Sequence, residues 1–189
     1  MKRFGVFALL VLIAMILAGV YGMVHDQISY TVSPEYFTKF KFRQFGLVDW
    51  DLPDRVRAAM VGFLASWWMG IPIGLLVGGM GFMHPGPRRM FKVTLESYWV
   101  LIIFTFLFGL GGLGFGWLQT RHLNPPGYHG WFIPDDVADL RRFLCAGYMH
   151  NSSYLGGILG IFVAFAFHVI VRIKQAMTGA TENKARGGV

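Results

Sequence analysis

Histidine and carboxylate are the residue types here with the most chemistry to offer. His150 and His168 stand inside an uncharged run from Phe143 to Val171. About five helical turns separate them, so on a helix they share one face. Asp139, Phe143, Ala146, Ser153, Gly157 and Ala164 fall on or near that face, which is smaller and more polar than the rest. Ionisable groups within an apolar run are costly to keep, and this makes them functional candidates. His25-Asp26 closes another apolar run, and Glu35, His122, His129 and Asp135 follow runs of the same kind. Imidazole and carboxylate are the usual ligands of zinc, copper and iron. They also relay protons or hold a polar substrate.

The candidate metal ligands are therefore His25, Asp26, Glu35 and His150, with His122, His129, Asp135, Asp139 and Asn151 as further polar candidates at the same end. A plainer alternative is that His150 and Asn151-Ser152-Ser153 satisfy one another and nearby carbonyls. No HExxH, CxxC or Glu-x-x-His signature is present. At the other end, Glu96 could meet His168 or Arg172, or simply pair with Lys92 one turn away.

The elements that must carry these residues are membrane helices. The chain has 189 residues, 54% hydrophobic and 14% charged, against about a quarter charged in soluble domains. A helix needs about 20 apolar residues to cross a bilayer. Four such runs, about 4–23, 58–83, 97–119 and 143–171, predict an all-α bundle of four transmembrane helices. Two long loops, 24–57 and 120–142, then share one side. Lys2, Arg3, Arg88, Arg89, Lys92, Arg172 and Lys174 gather on the other, with the 84–92 loop and the 172–189 tail. The positive-inside rule makes that second side cytoplasmic, both termini included, in a bacterial-type inner membrane. Met1-Lys2-Arg3 before an apolar run also suits a signal peptide, but the run is long for one and a retained span is expected.

Glycine recurs every fourth residue at Gly70, Gly74 and Gly78, at Gly112 and Gly116, and at Gly156 and Gly160. This zipper-like spacing suits close helix packing within the bundle, or between copies in a homo-oligomer or larger complex. Pro72 predicts a kink, since it frees the carbonyl of Trp68. In the first loop, Ser33-Pro34-Glu35 reads as a helix start, whereas Lys39 to Arg43 alternates like a strand. Its rings and cations suit the lipid interface. In the second loop, Asn124-Pro125-Pro126-Gly127 marks a turn, and Pro134-Asp135-Asp136 predicts the start of the last helix.

The net charge of +7 flanks apolar runs and forms no stripe, which excludes nucleic acid as a partner. No phosphate-binding glycine loop or nucleophile elbow is present. Cys145 is alone, so no intrachain disulfide forms. Asn151-Ser152-Ser153 fits a glycosylation sequon but at a depth that argues against its use. The leading expectation is a binding or accessory subunit with a polar, metal-binding outer site. Second comes an oxidoreductase with haem between His25 and His150 and between His84 and His168. A small oligomeric transporter or channel ranks third, because no inverted repeat is visible.

Overall fold

The computed structural model describes residues 2–122 and 125–186. Asn124 and the last three residues lie outside the described residues. The described residues are mostly helical, with no strand among them. Its main helices are α1 (Arg3–Val32), a short α2 (Phe42–Gln44), α3 (Asp54–Ser66), α4 (Gly70–Met80), α5 (Gly86–Gln119) and α6 (Leu140–Arg186). Four helical stretches are long and apolar enough to cross a membrane: Arg3–Val32, Asp54–Met83, Gly86–Gln119 and Leu140–Thr178. Ile16, Leu107 and Phe162 are each more than 60% exposed on the outside of the bundle. Water disfavours such a surface and lipid does not.

Every span extends beyond its uncharged run. Charged residues end the hydropathy signal but not the helix, since Lys, Arg and Glu are good helix formers. Helix α1 runs on to Val32 and so keeps His25 and Asp26 within it. The second stretch does break near Pro72: one 3-10 turn, Trp67–Met69, separates α3 from α4. Helix α6 begins at Leu140 and not at Pro134. The Asp139 carboxylate accepts the Arg142 N–H at 3.0 Å, making Asp139 the N-cap.

Helix α1 packs along α3 and α4, and α5 packs along α6. At the α1–α3 crossing, Gly22 faces the Gly62 carbonyl and Gly62 faces the Gly22 carbonyl, with no room for a Cβ on either. Gly70 meets the backbone of Met15 in the same way. Tyr98 ties the pairs together by donating its hydroxyl to the Leu10 carbonyl at 3.1 Å. One apolar core, around Leu10, Val77, Met90 and Ala164, fills the end near the termini. Another, around Phe37, Phe42, Leu47, Val61 and Phe143, lies beneath the two long loops.

The first long loop is not a strand. Ser33 caps as its sequence suggests, its hydroxyl accepting the Tyr36 N–H at 3.3 Å. A π-helical turn, Tyr36–Lys41, follows and closes with the Phe42 N–H on the Phe37 carbonyl. The wider turn turns Tyr36, Phe37, Lys41 and Phe42 all inward, and all are buried. An alternation of Lys and Phe cannot announce this, because the period it mimics is the strand's.

Candidate metal centre

Helix α1 brings His25 and Asp26 beneath the π turn, and α6 brings His150 to meet them. All three are buried, at 4%, 3% and 6% exposure. His25 Nδ1 lies 2.9 Å from Asp26 Oδ1, and His150 Nε2 lies 3.7 Å from the same oxygen. The two imidazoles meet edge to face with centroids 4.6 Å apart. One ligand atom from each residue falls within 4.8 Å of the others. Donors on one ion at bonds of about 2.0–2.2 Å stand about 3–4 Å apart, so small rotamer adjustments would let all three share an ion.

Comparison with known protein families, curated protein sequences and solved structures finds no match. What the centre can do must come from its own geometry.

Ser29 sits beside His150, its Oγ 3.1 Å from Nε2, and Tyr36 stacks on the imidazole at 4.9 Å. Such neighbours fix ring orientation. His25 Nε2 is buried with no hydrogen-bond partner, a state that buried polar atoms normally avoid. Lys41 reaches in from the π turn. Its Nζ bonds Gln44 Oε1 at 3.0 Å and lies 4.6 Å from the Phe40 ring centroid. Burial pushes its amine below the usual lysine range, against the pull of the Asp26 charge. Lys41 was not recognisable as a site residue, because its inward direction depends on the π turn.

The other sequence candidates divide cleanly. Glu35 does not join the centre. It accepts the N–H groups of Asp139 at 2.8 Å and Ala138 at 3.0 Å, and pairs with Lys39 at 3.4 Å. Lys39 also reaches Asp136, so this small network ties the two long loops together. His122, His129, Asp135, Asp139 and Asn151 are exposed, and the buried cluster is made by His25, Asp26 and His150 without them. The inward face expected of α6 holds for Phe143, Ala146, Ser153 and Ala164, all buried, but Asp139 lies outside it.

At the terminus end, Glu96 is exposed and pairs with Lys92 at 3.9 Å. It reaches neither His168 nor Arg172. His168 is fully buried between His84 and Ser97. Its Nδ1 lies 3.0 Å from His84 Nε2, and its Nε2 lies 3.1 Å from Ser97 Oγ. The residues paired in the haem reading thus do meet at both ends. The 3.0 Å contact is shorter than the about 4 Å between nitrogens on opposite faces of a haem iron, two bonds of about 2.0 Å in line, so these rings would have to part to admit one.

The Glu35 network has a pH signature. The backbone N–H groups of Asp139 and Ala138, with Lys39, hold its carboxyl below the usual glutamate range. A depressed carboxyl stabilises above its unfolded pKa of about 4.3 and ceases to as pH falls through the folded value. The partial exposure of the pair limits this to about 1 kcal/mol. Glu35→Gln is expected to speed hydrogen exchange at the Ala138 and Asp139 amides at pH 7, and acidification below about pH 4 to lower the protection of the same wild-type amides relative to their intrinsic exchange rates. Unchanged exchange in the variant would remove Glu35 as the tie between the loops.

Proposed function

We propose that this chain is a multi-pass membrane protein, a binding or accessory subunit that holds one transition-metal ion at the outer end of its bundle. The observation that carries the reading is the convergence of His25, Asp26 and His150, buried and within 4.8 Å of one another. Two imidazoles and one carboxylate suit Zn(II) or Fe(II), with copper a weaker fit than in an all-nitrogen site. Three protein ligands leave a coordination position open, as in reactive centres and unlike closed structural ones. The ion would take the place of the proton now held between His25 and Asp26.

Four long apolar helices, with Lys2, Arg3, Arg88, Arg89, Lys92 and Arg172 near one end, support an inner-membrane topology with cytoplasmic termini. The metal centre then faces outward. A second reading, an oxidoreductase carrying haem, draws support from the meeting of both histidine pairs. It ranks lower because both pairs would have to part to admit iron and a porphyrin.

The test is the iron, copper and zinc content of protein purified in mild detergent without chelators or an immobilised-metal step, measured by plasma mass spectrometry. About one equivalent of a single metal per chain is expected. Absence of metal, persisting after incubation with each ion in turn and dialysis, would overturn the reading.

A further inference from the structure

Below the metal centre the two helix pairs do not close on each other. A cavity of about 110 Å³ lies between them, with His25, Asp26, Lys41 and His150 at its head. Its walls are mostly apolar and include Ala14, Leu17, Ile73, Leu101 and Ile102. Four buried polar atoms on lining residues complete no hydrogen bond: His25 Nε2, Tyr21 OH, Thr105 Oγ1 and Ser153 Oγ. Tyr21 and Ser153 are near enough to interact, though without good hydrogen-bond geometry. Buried polar groups are ordinarily satisfied, so these four mark a space built for oxygen-bearing contents. Tyr154 also lines the cavity, yet is itself 51% exposed. The cavity therefore reaches the apolar flank of the bundle.

Size and lining narrow the occupant. An apolar cavity of about 150 Å³ accepts benzene, so at about 110 Å³ a single six-membered ring is the upper limit here, with any tail outside. A tail on that ring would leave past Tyr154 into hydrocarbon. Hydroxyl or carbonyl oxygens on the ring would meet the unpartnered atoms. We propose that the cavity binds a ring-sized, lipid-soluble molecule carrying hydroxyl or carbonyl oxygen, the class of alkylphenols and quinones, taken up from the bilayer beside Tyr154. This rests on the membrane reading of the four helices but does not require the metal.

Glycine 157 supplies the test. It lines the cavity, and a Cβ on it would meet nothing within 4 Å. Gly157→Leu should fill the space without disturbing helix packing. Gly111, also with nothing within 4 Å but away from the cavity, gives the control Gly111→Leu. The full chain in lipid nanodiscs is titrated with decylbenzoquinone and with decylbenzene, which has the same tail and no oxygen. Heat of binding is read against empty nanodiscs. Saturable one-site binding of the quinone is expected in the wild type and in Gly111→Leu, and roughly tenfold or more weaker binding in Gly157→Leu. Thr105→Val, a smaller change, is expected to weaken it too and serves if Gly157→Leu does not fold. Wild-type affinity in these cavity variants, equal binding of decylbenzene, or partitioning with no saturation would each overturn the proposal. Metal content of the same preparations reports on the metal centre independently.

Discussion

His150→Ala is expected to lower metal affinity by at least about 100-fold, from about one equivalent per purified chain to a trace. Loss of an outer hydrogen-bond partner alone typically costs 10–100-fold, and a ligand contributes more. The comparison that carries weight is with Ser29→Ala, which removes the 3.1 Å neighbour of His150 but no ligand. It should weaken binding less than His150→Ala, within the 10–100-fold range of an outer partner. Affinity should rise with pH, because both imidazoles must be neutral to bind and because a dication beside buried Lys41 favours loss of that lysine's proton. Lys41→Met should therefore bind more tightly at neutral pH and show a shallower pH dependence. Equal metal content in wild type and His150→Ala would mean that any metal sits elsewhere.

Gly62→Val is expected to cause a large loss of stability. Its added carbons would enter the Gly22 carbonyl and the Met23 nitrogen, which are backbone and cannot swing aside. Overpacking a tight site costs about 1–3 kcal/mol where side chains can yield, and a backbone clash exceeds that. In detergent the variant should unfold at a clearly lower temperature or fail to accumulate. Gly114→Val is the matched control, since a Cβ at Gly114 meets nothing within 4 Å. A thermal midpoint for Gly62→Val equal to that of the control would show that the α1–α3 crossing is looser than described. Gly22 lies one helical turn before His25 and Asp26, so a milder variant, Gly62→Ala, should also reduce metal occupancy.

The four long apolar helices were legible because each carries about 20 residues without a charge, and hydropathy reads that directly. So was the inward face of α6, since His150 and His168 fix it by spacing alone. Sharing one end of the bundle made His25, Asp26 and His150 candidates, but their convergence was not legible in the sequence. Glu35 shared that end too, yet its direction is decided by the amides of Ala138 and Asp139, a hundred residues away. Local pattern carries no information about such a contact. Lys41 was lost for a different reason: the strand-like run Lys39 to Arg43 conceals a π turn. The Gly22–Gly62 crossing was partly visible. The row Gly70, Gly74, Gly78 extends backward at the same spacing through Ser66 to Gly62, but its partner row on α1, Ala14, Ala18 and Gly22, holds only one glycine and so stands out less.

The π turn at Tyr36–Lys41 has a consequence for how this chain could have arisen. A π turn is an α-helix with one residue too many, and such turns are frequent at functional sites. With one residue fewer between Tyr36 and Lys41, the segment would wind as an ordinary helix, and everything after the change would rotate by about 100°. Lys41 would swing off the candidate metal centre, leaving His25, Asp26 and His150 without their cation, and Phe42 would leave Phe37, one of the two π-turn rings that face His150. A single-codon insertion is thus enough to turn a plain amphipathic loop helix into the lid of a buried site, with no other residue changed.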